Sequence, residues 1–187
     1  SLNKNAEDRA LISFKSVLIL NYDVEAAQQV ILPLETTLNI EIFIDYMVLV
    51  GDRFLDKMIF RLYEDKAISV NIEIDTDSIP DFASASISTN QVSVNISQEL
   101  TRAKEPIILN VAVNENAPAF INFLIKIEAS VPEVIGRFGF TKIKGATTSS
   151  EVSLLPGFNG LISISEPEGN TVEIGSADTA EFPIKIT

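Results

Sequence analysis

Five segments of this chain carry an apolar residue at every second position. Leu38, Ile40, Ile42 and Ile44 alternate with Asn39 and Glu41, and Asp45 follows. Ile68, Val70, Ile72 and Ile74 alternate with Ser69, Asn71, Glu73 and Asp75. Val92, Val94 and Ile96 alternate with Ser93, Asn95 and Ser97. The pattern returns in Ile107, Leu109, Val111 and Val113, and again in Ile121, Phe123, Ile125 and Ile127. Successive side chains of a strand point to opposite faces, so these segments can bury their apolar groups together only as strands with one face on a core. Turn formers separate them: Gly51-Asp52, the 75–81 stretch with Pro80, Thr89-Asn90, Pro106, and 114–118 ending in Ala117-Pro118. Strands at this spacing, with no long amphipathic helix between them, predict an all-β chain folded as an antiparallel sandwich.

With 187 residues the chain is longer than one ordinary domain and shorter than two generous ones. After Ser130 the texture shifts to Gly, Ser and Thr, as in Gly145 followed by Thr147, Thr148, Ser149 and Ser150. The expected organisation is therefore one full β-sandwich over residues 1–130 and a smaller or partial β module over 131–187. Shifting 172–187 back by 142 positions keeps its apolar alternation in phase with 30–45, as a second copy of the same opening strands requires. Short helical turns are expected near 25–29 and 97–103.

The chain contains no cysteine and no histidine, which removes thiol nucleophiles, zinc sites built on sulfur or imidazole, and any Ser-His-Asp triad. Its formal charge of −12, with 14 Lys and Arg scattered against 26 Asp and Glu, provides no basic stripe to neutralise phosphates, so nucleic acid is not an expected partner. The most apolar stretch, 38–50, is cut by Asn39, Glu41 and Asp45 and is not a membrane span. Without an initiator Met or a signal peptide, the sequence reads as a mature product or an excised piece.

Two segments resemble a known pattern. In 105–125, a strand ends in Asn114, Glu115 and Asn116, followed by Ala117-Pro118 and a closing strand. This is similar to the last hairpin of immunoglobulin-like modules in archaeal and bacterial cell-surface and S-layer-type proteins, although Ala119 and Phe120 stand where those modules usually carry a glycine. Segment 172–187, with Val172, Ile174, Phe182, Ile184 and Ile186, resembles the opening of such a module. The resemblance implies an immunoglobulin-like β-sandwich used in tandem as a spacer, lattice element or adhesive head.

Glu73, Asp75, Asp77 and Asp81 crowd carboxylates around one inter-strand loop, the oxygen donors that a hard cation such as calcium takes. The competing reading is a solvated acidic turn in which an Asp caps its own backbone. Glu166, Glu168 and Asn170 around Gly169 form a second acidic turn. Asn95-Ile96-Ser97 is an N-glycosylation acceptor sequence, with Asn95 on the outward face of its strand. Acidic pairs for glycoside cleavage abound, yet the aromatic platforms of sugar sites are scarce, with no Trp and Tyr limited to Tyr22, Tyr46 and Tyr63. The densest apolar region, Met47 to Leu49 and Phe54 to Leu62, is expected to form two neighbouring strands buried on one face, the alternative being a partly exposed groove or edge that accepts a partner's strand.

These features predict a non-enzymatic, extracellular structural or interaction module of a cell-surface or S-layer-like protein, serving as a rigid spacer or adhesive element. No cofactor is called for, calcium aside, and the partners are proteins: neighbouring modules or copies of the chain itself. One alternative is an extracellular filament subunit assembled by donor-strand complementation, with 10–20 or 180–186 as the strand lent to a neighbour. Another is a carbohydrate-binding module.

Overall fold

The computed structural model describes residues 12–22, 30–33, 37–64, 66–118, 121–157, 162–164 and 184–186. Its strands are β1 (Ile12–Tyr22), β2 (Val30–Pro33), β3 (Thr37–Leu49), β4 (Ala67–Ile74), β5 (Ala83–Ile87), β6 (Gln91–Asn95), β7 (Thr101–Arg102), β8 (Ile107–Val113), β9 (Phe123–Val131), β10 (Val134–Ile135), β11 (Thr141–Ile143), β12 (Ala146–Gly157), β13 (Ile162–Ile164) and β14 (Ile184–Ile186). One short helix, α1 (Phe54–Phe60), joins β3 to β4.

The period-two segments form strands, and their burial follows the alternation, except that Ile121 precedes β9 and is exposed. In β4, Ile68, Val70 and Ile72 are buried while Ser69, Asn71 and Glu73 are exposed. In β8, Ile107, Leu109, Val111 and Val113 all face inward. A seven-stranded sheet runs in the order β10, β11, β1, β3, β8, β5, with β7 also paired to β3. A five-stranded sheet runs β2, β12, β9, β4, β6. The inner faces of the two sheets share one apolar core, in which Ile42, Val70, Leu109, Ile125 and Val152 are fully enclosed. The chain is thus an all-β, immunoglobulin-like sandwich.

Two pairings depart from the antiparallel expectation. β1 pairs in parallel with β11, Ile12 opposite Thr141, and β2 pairs in parallel with β12. The first arises because the chain changes sheets. β11 lies beside β1 in the larger sheet, the Lys144 N–H still donates to the Phe14 carbonyl, and β12 then runs antiparallel to β9 in the smaller one. Gly145 sits at the crossing, where a Cβ would come within 2.8 Å of the Val131 carbonyl oxygen. The chain needs glycine here for the close approach of two backbones.

Residues 130 and 131, where a module boundary is expected, are paired with β12. They lie inside β9, and the Gly/Ser/Thr-rich stretch that suggested a new module becomes β12, paired with β9 from Ala146 opposite Val131 to Leu154 opposite Phe123. Ile143, Val152 and Leu154 belong to the same core as Ile42 and Val70. Beyond 157, the described residues are β13 and β14, which pair with each other. The echo over 172–187, the acidic turn at Glu166, Glu168 and Asn170 and the helical turn at 25–29 lie largely or wholly outside the described residues.

The apolar region from Met47 to Leu62 is corrected. It is the end of β3 followed by α1, not two buried strands. Phe60 and Tyr63, one turn apart, reach the core and meet the Phe14 ring edge-on at 5.6 and 6.3 Å between centroids. Phe54, Leu55, Met58 and Leu62 are left outside. The helical turn expected in 97–103 is instead a bend leading into β7.

Candidate interaction site

The two lateral sides of the sandwich are closed differently. On one side β1 and the strand that changes sheets stitch the layers together: Ser16 Oγ donates to the Lys144 carbonyl at 2.6 Å, and the Tyr22 hydroxyl to the Glu151 carbonyl at 3.0 Å. On the other side β5 ends at Ile87 and the chain crosses to β6. A groove of about 730 Å3 is left between the β6 edge and residues 101–106, with Ser88 and Thr89 at its head and Asn95 and Ala67 at its foot.

The hydrogen-bond phase of β6 decides what this groove offers. The Ile72 N–H donates to the Asn90 carbonyl and the Ile96 N–H to the Lys66 carbonyl, so the even-numbered residues of β6 turn their main chain toward β4. By alternation the odd-numbered residues turn theirs toward the groove. Thr89 Oγ1 donates to the Gln91 carbonyl and accepts from its N–H, and Thr101 Oγ1 donates to the Asn95 carbonyl. Two threonine hydroxyls thus blunt the ends of the edge, and the main chain of Ser93 is left facing the groove between them.

Arg102 lines the same groove and leans back over the outer face of β3. Its Nε donates to Asp45 Oδ1 at 2.8 Å and its Nη2 to Asp45 Oδ2 at 3.0 Å, while its guanidinium carbon stands 4.8 Å from the Phe43 ring centroid. Asn21 donates to the same carboxylate. Asp45 is only 4% exposed although it points away from the core, because this bidentate arginine covers it.

The Arg102 hydrogen bonds hold the Asp45 carboxyl below its ordinary value of 3.8, overcoming the opposing effect of burial. A depressed carboxyl pKa stabilises the fold fully above the unfolded-state value, and this contribution is lost as pH falls through the folded-state value. Asp45→Asn is therefore expected to lower the melting temperature at neutral pH, and the gap to wild type should close as the medium is acidified below 3.8. Thermal unfolding followed across that range checks this; a gap that persists in acid would mean the pair does not act through its charge.

The structure does not gather the four carboxylates expected to hold calcium. Asp75 Oδ1 accepts from the Asp77 N–H at 3.2 Å and opens a short 3-10 turn over Thr76–Ser78, and Asp75 Oδ2 lies 3.7 Å from Lys126 Nζ. Glu73 lies opposite Glu128 on the outward face of β4 and β9, and Asp81 is exposed farther along the loop. Among the described residues no group of three or more acidic side chains converges as a metal site. Asn95 is exposed at the end of β6, on the rim of the groove. Of the 10–20 segment, expected as a lendable strand, the described residues 12–20 lie in β1, held between β11 and β3 within its own sheet. The other candidate lender contributes β14, paired with β13. Sequence reasoning missed Ser93 and the Asp45–Arg102 pair; Asp45, the acid set between Ile44 and Tyr46 in the more apolar half of β3, was the available signal.

No family model matches this chain, and no curated protein matches it. Among solved structures it is similar to the periplasmic chaperone SfaE, with a TM-score of 0.36 and 14% identity over 79% of this chain and 59% of that one. It is similar also to the E. coli chaperone DraB, with a TM-score of 0.37 and 11% identity over 77% of this chain and 57% of the other. A third likeness is to BcpA, the major pilin subunit of Bacillus cereus, with a TM-score of 0.35 and 10% identity over 91% of this chain and 52% of that one. The chain spans little more than half the length of each of these three proteins.

Proposed function

We propose that the chain is a non-enzymatic module of an extracellular assembly, a filament or surface layer, and that it engages a protein partner by accepting a strand along the β6 edge. The observation that carries this reading is the asymmetry of the two lateral sides, one stitched shut by β1 and the other left as a groove toward which Ser93 turns its main chain. A partner strand would pair with Ser93 and displace the Thr89 and Thr101 hydroxyls, while its side chains alternate between groove and solvent. The sandwich supplies stiffness, and the acidic exterior limits association to partners that match the groove.

Ser93→Pro tests this directly. The N–H it removes faces the groove and not β4, so no ladder bond inside the sheet is lost, while the ring blocks an incoming strand. The wild-type chain at high concentration is expected to protect the Ser93 amide from hydrogen exchange relative to dilute solution, and the neighbours of residue 93 in the variant should show no such protection. Exchange at Ser93 that is independent of concentration would overturn the strand-accepting reading. Binding of the monomer to one glycan class on a carbohydrate array would instead favour the sugar-binding alternative.

A further inference from the structure

The two ends of the sandwich differ in chemistry. At one end α1 and the β10–β11 hairpin lie side by side, tied by the hydrogen bond between the Tyr63 and Thr141 hydroxyls, while the Ile12 N–H donates to the Phe140 carbonyl at 3.3 Å. Gly139, at φ 71°, makes the turn of that hairpin. With Phe60 and Tyr63 anchored inward, Phe54 and Phe138 are turned out, 82% and 76% exposed, and Leu62, Ile135 and Phe140 on the same two elements and the segment after α1 are exposed as well. Residues 52–66 and 132–144 hold seven of the chain's 14 Lys and Arg but only five of its 26 Asp and Glu. This end is apolar and cationic on a molecule that is otherwise strongly anionic.

At the other end β4 and β8 finish and β9 begins. There, residues 73–81 and 114–118 hold five acids and no base. Lys126, bridging Asp75 and Glu128, offsets part of that charge. Ile121 and Leu124 are exposed beside these acids. The eight-residue β4 spans the distance between the ends, about 26 Å at the usual rise per residue.

We propose that copies of this chain stack end to end, the apolar cationic end of one seated on the acidic end of the next. Exposed aromatic side chains at one end of a molecule mark an interaction surface, and each end carries apolar groups for the other to cover. The charges then choose the arrangement. Two cationic ends repel, as do two acidic ends, whereas unlike ends attract, so the contact is heterologous and repeats along a column without closing. An anionic lipid surface would also satisfy the cationic end, but it leaves Ile121 and Leu124 at the far end without a role. The contact uses neither β6 nor the groove, and so stands apart from the strand-accepting site.

Two double variants of the full chain test the proposal by light scattering and sedimentation. Phe54→Ser with Phe138→Ser disables the apolar end through exposed side chains, and Asp77→Lys with Asp81→Lys reverses charge at the acidic end; circular dichroism confirms that each is folded. The wild type is expected to form oligomers that grow with concentration and weaken in high salt, and each double variant should associate at least about tenfold more weakly. Carried on the Ser93→Pro background, which blocks the groove, an equal mixture of the two variants should form dimers and nothing larger, because each brings one intact end. Three results overturn the proposal: a wild type that stays monomeric, an Asp77→Lys/Asp81→Lys variant that dimerises as the wild type does, or binding to phosphatidylglycerol vesicles through Phe54 and Phe138 without self-association. Ser93→Pro, run alongside, should stack normally, so failure at the groove and failure at the ends are read separately.

Discussion

Cutting the chain after Val131 is expected to leave a polypeptide that does not fold. The cut removes β11 and β12, and with them Ile143, Val152 and Leu154 from the shared core. Each fully buried side chain of this kind contributes about 1.5–3 kcal/mol, so their loss approaches the whole stability of a typical domain, about 5–15 kcal/mol. It also strips β9 of its partner from Phe123 to Val131 and leaves the middle of the smaller sheet as an open edge. Circular dichroism and amide NMR dispersion of residues 1–131 against 1–157 measure the effect. A well-dispersed spectrum from the shorter piece would show that β12 is an accessory and not part of the sandwich.

Phe60→Ala carries the next largest expected effect, a loss of about 3–5 kcal/mol. Phe60 is fully buried and meets Phe14 edge-on, so the cavity opens where α1 is fastened to the core. The loss should be accompanied by faster amide exchange through α1 and the β10–β11 hairpin, because Tyr63 packs against the same pair of rings. Phe54→Ala, on the same helix but 82% exposed, should change stability by no more than about 0.5 kcal/mol. Chemical denaturation of the two variants separates these outcomes, and equal losses would contradict the inward and outward assignment of the two rings.

Strand existence and facing were readable wherever one face of a strand is buried, since in β4, β6, β8 and β9 the alternation of residues is itself the alternation of environments. Two features were not readable, for different reasons. α1 carries apolar residues on its buried side, Phe60, and on its exposed side, Phe54, Leu55 and Met58, so its apolar run has no period to distinguish it from a strand. After Ala146, β12 continues with Thr147, Thr148, Ser149 and Ser150, small polar residues that look like a linker because this half of the strand is covered only partly. What makes it a strand is its register with β9, a non-local fact that no window of sequence contains. The candidate site divides the same way. Asn95 and the acidic loop were visible as residue types, whereas the role of Ser93 depends on which way its amide points, and that follows from the pairing of β6 with β4.

The parallel ladder between β1 and β11 also sets how the sandwich bears load. β1 starts at the end of the molecule that carries α1, and β12, which continues β11 past Gly145, finishes at the opposite end. Tension applied through residues 12 and 157 therefore runs along these strands in opposite directions. Such a pull shears the Ile12–Phe14 and Thr141–Ile143 contacts as a group, together with the Lys144 bond to Phe14, instead of peeling them apart one at a time. The long axis along which this molecule is best able to resist extension is the one on which its two unlike ends lie.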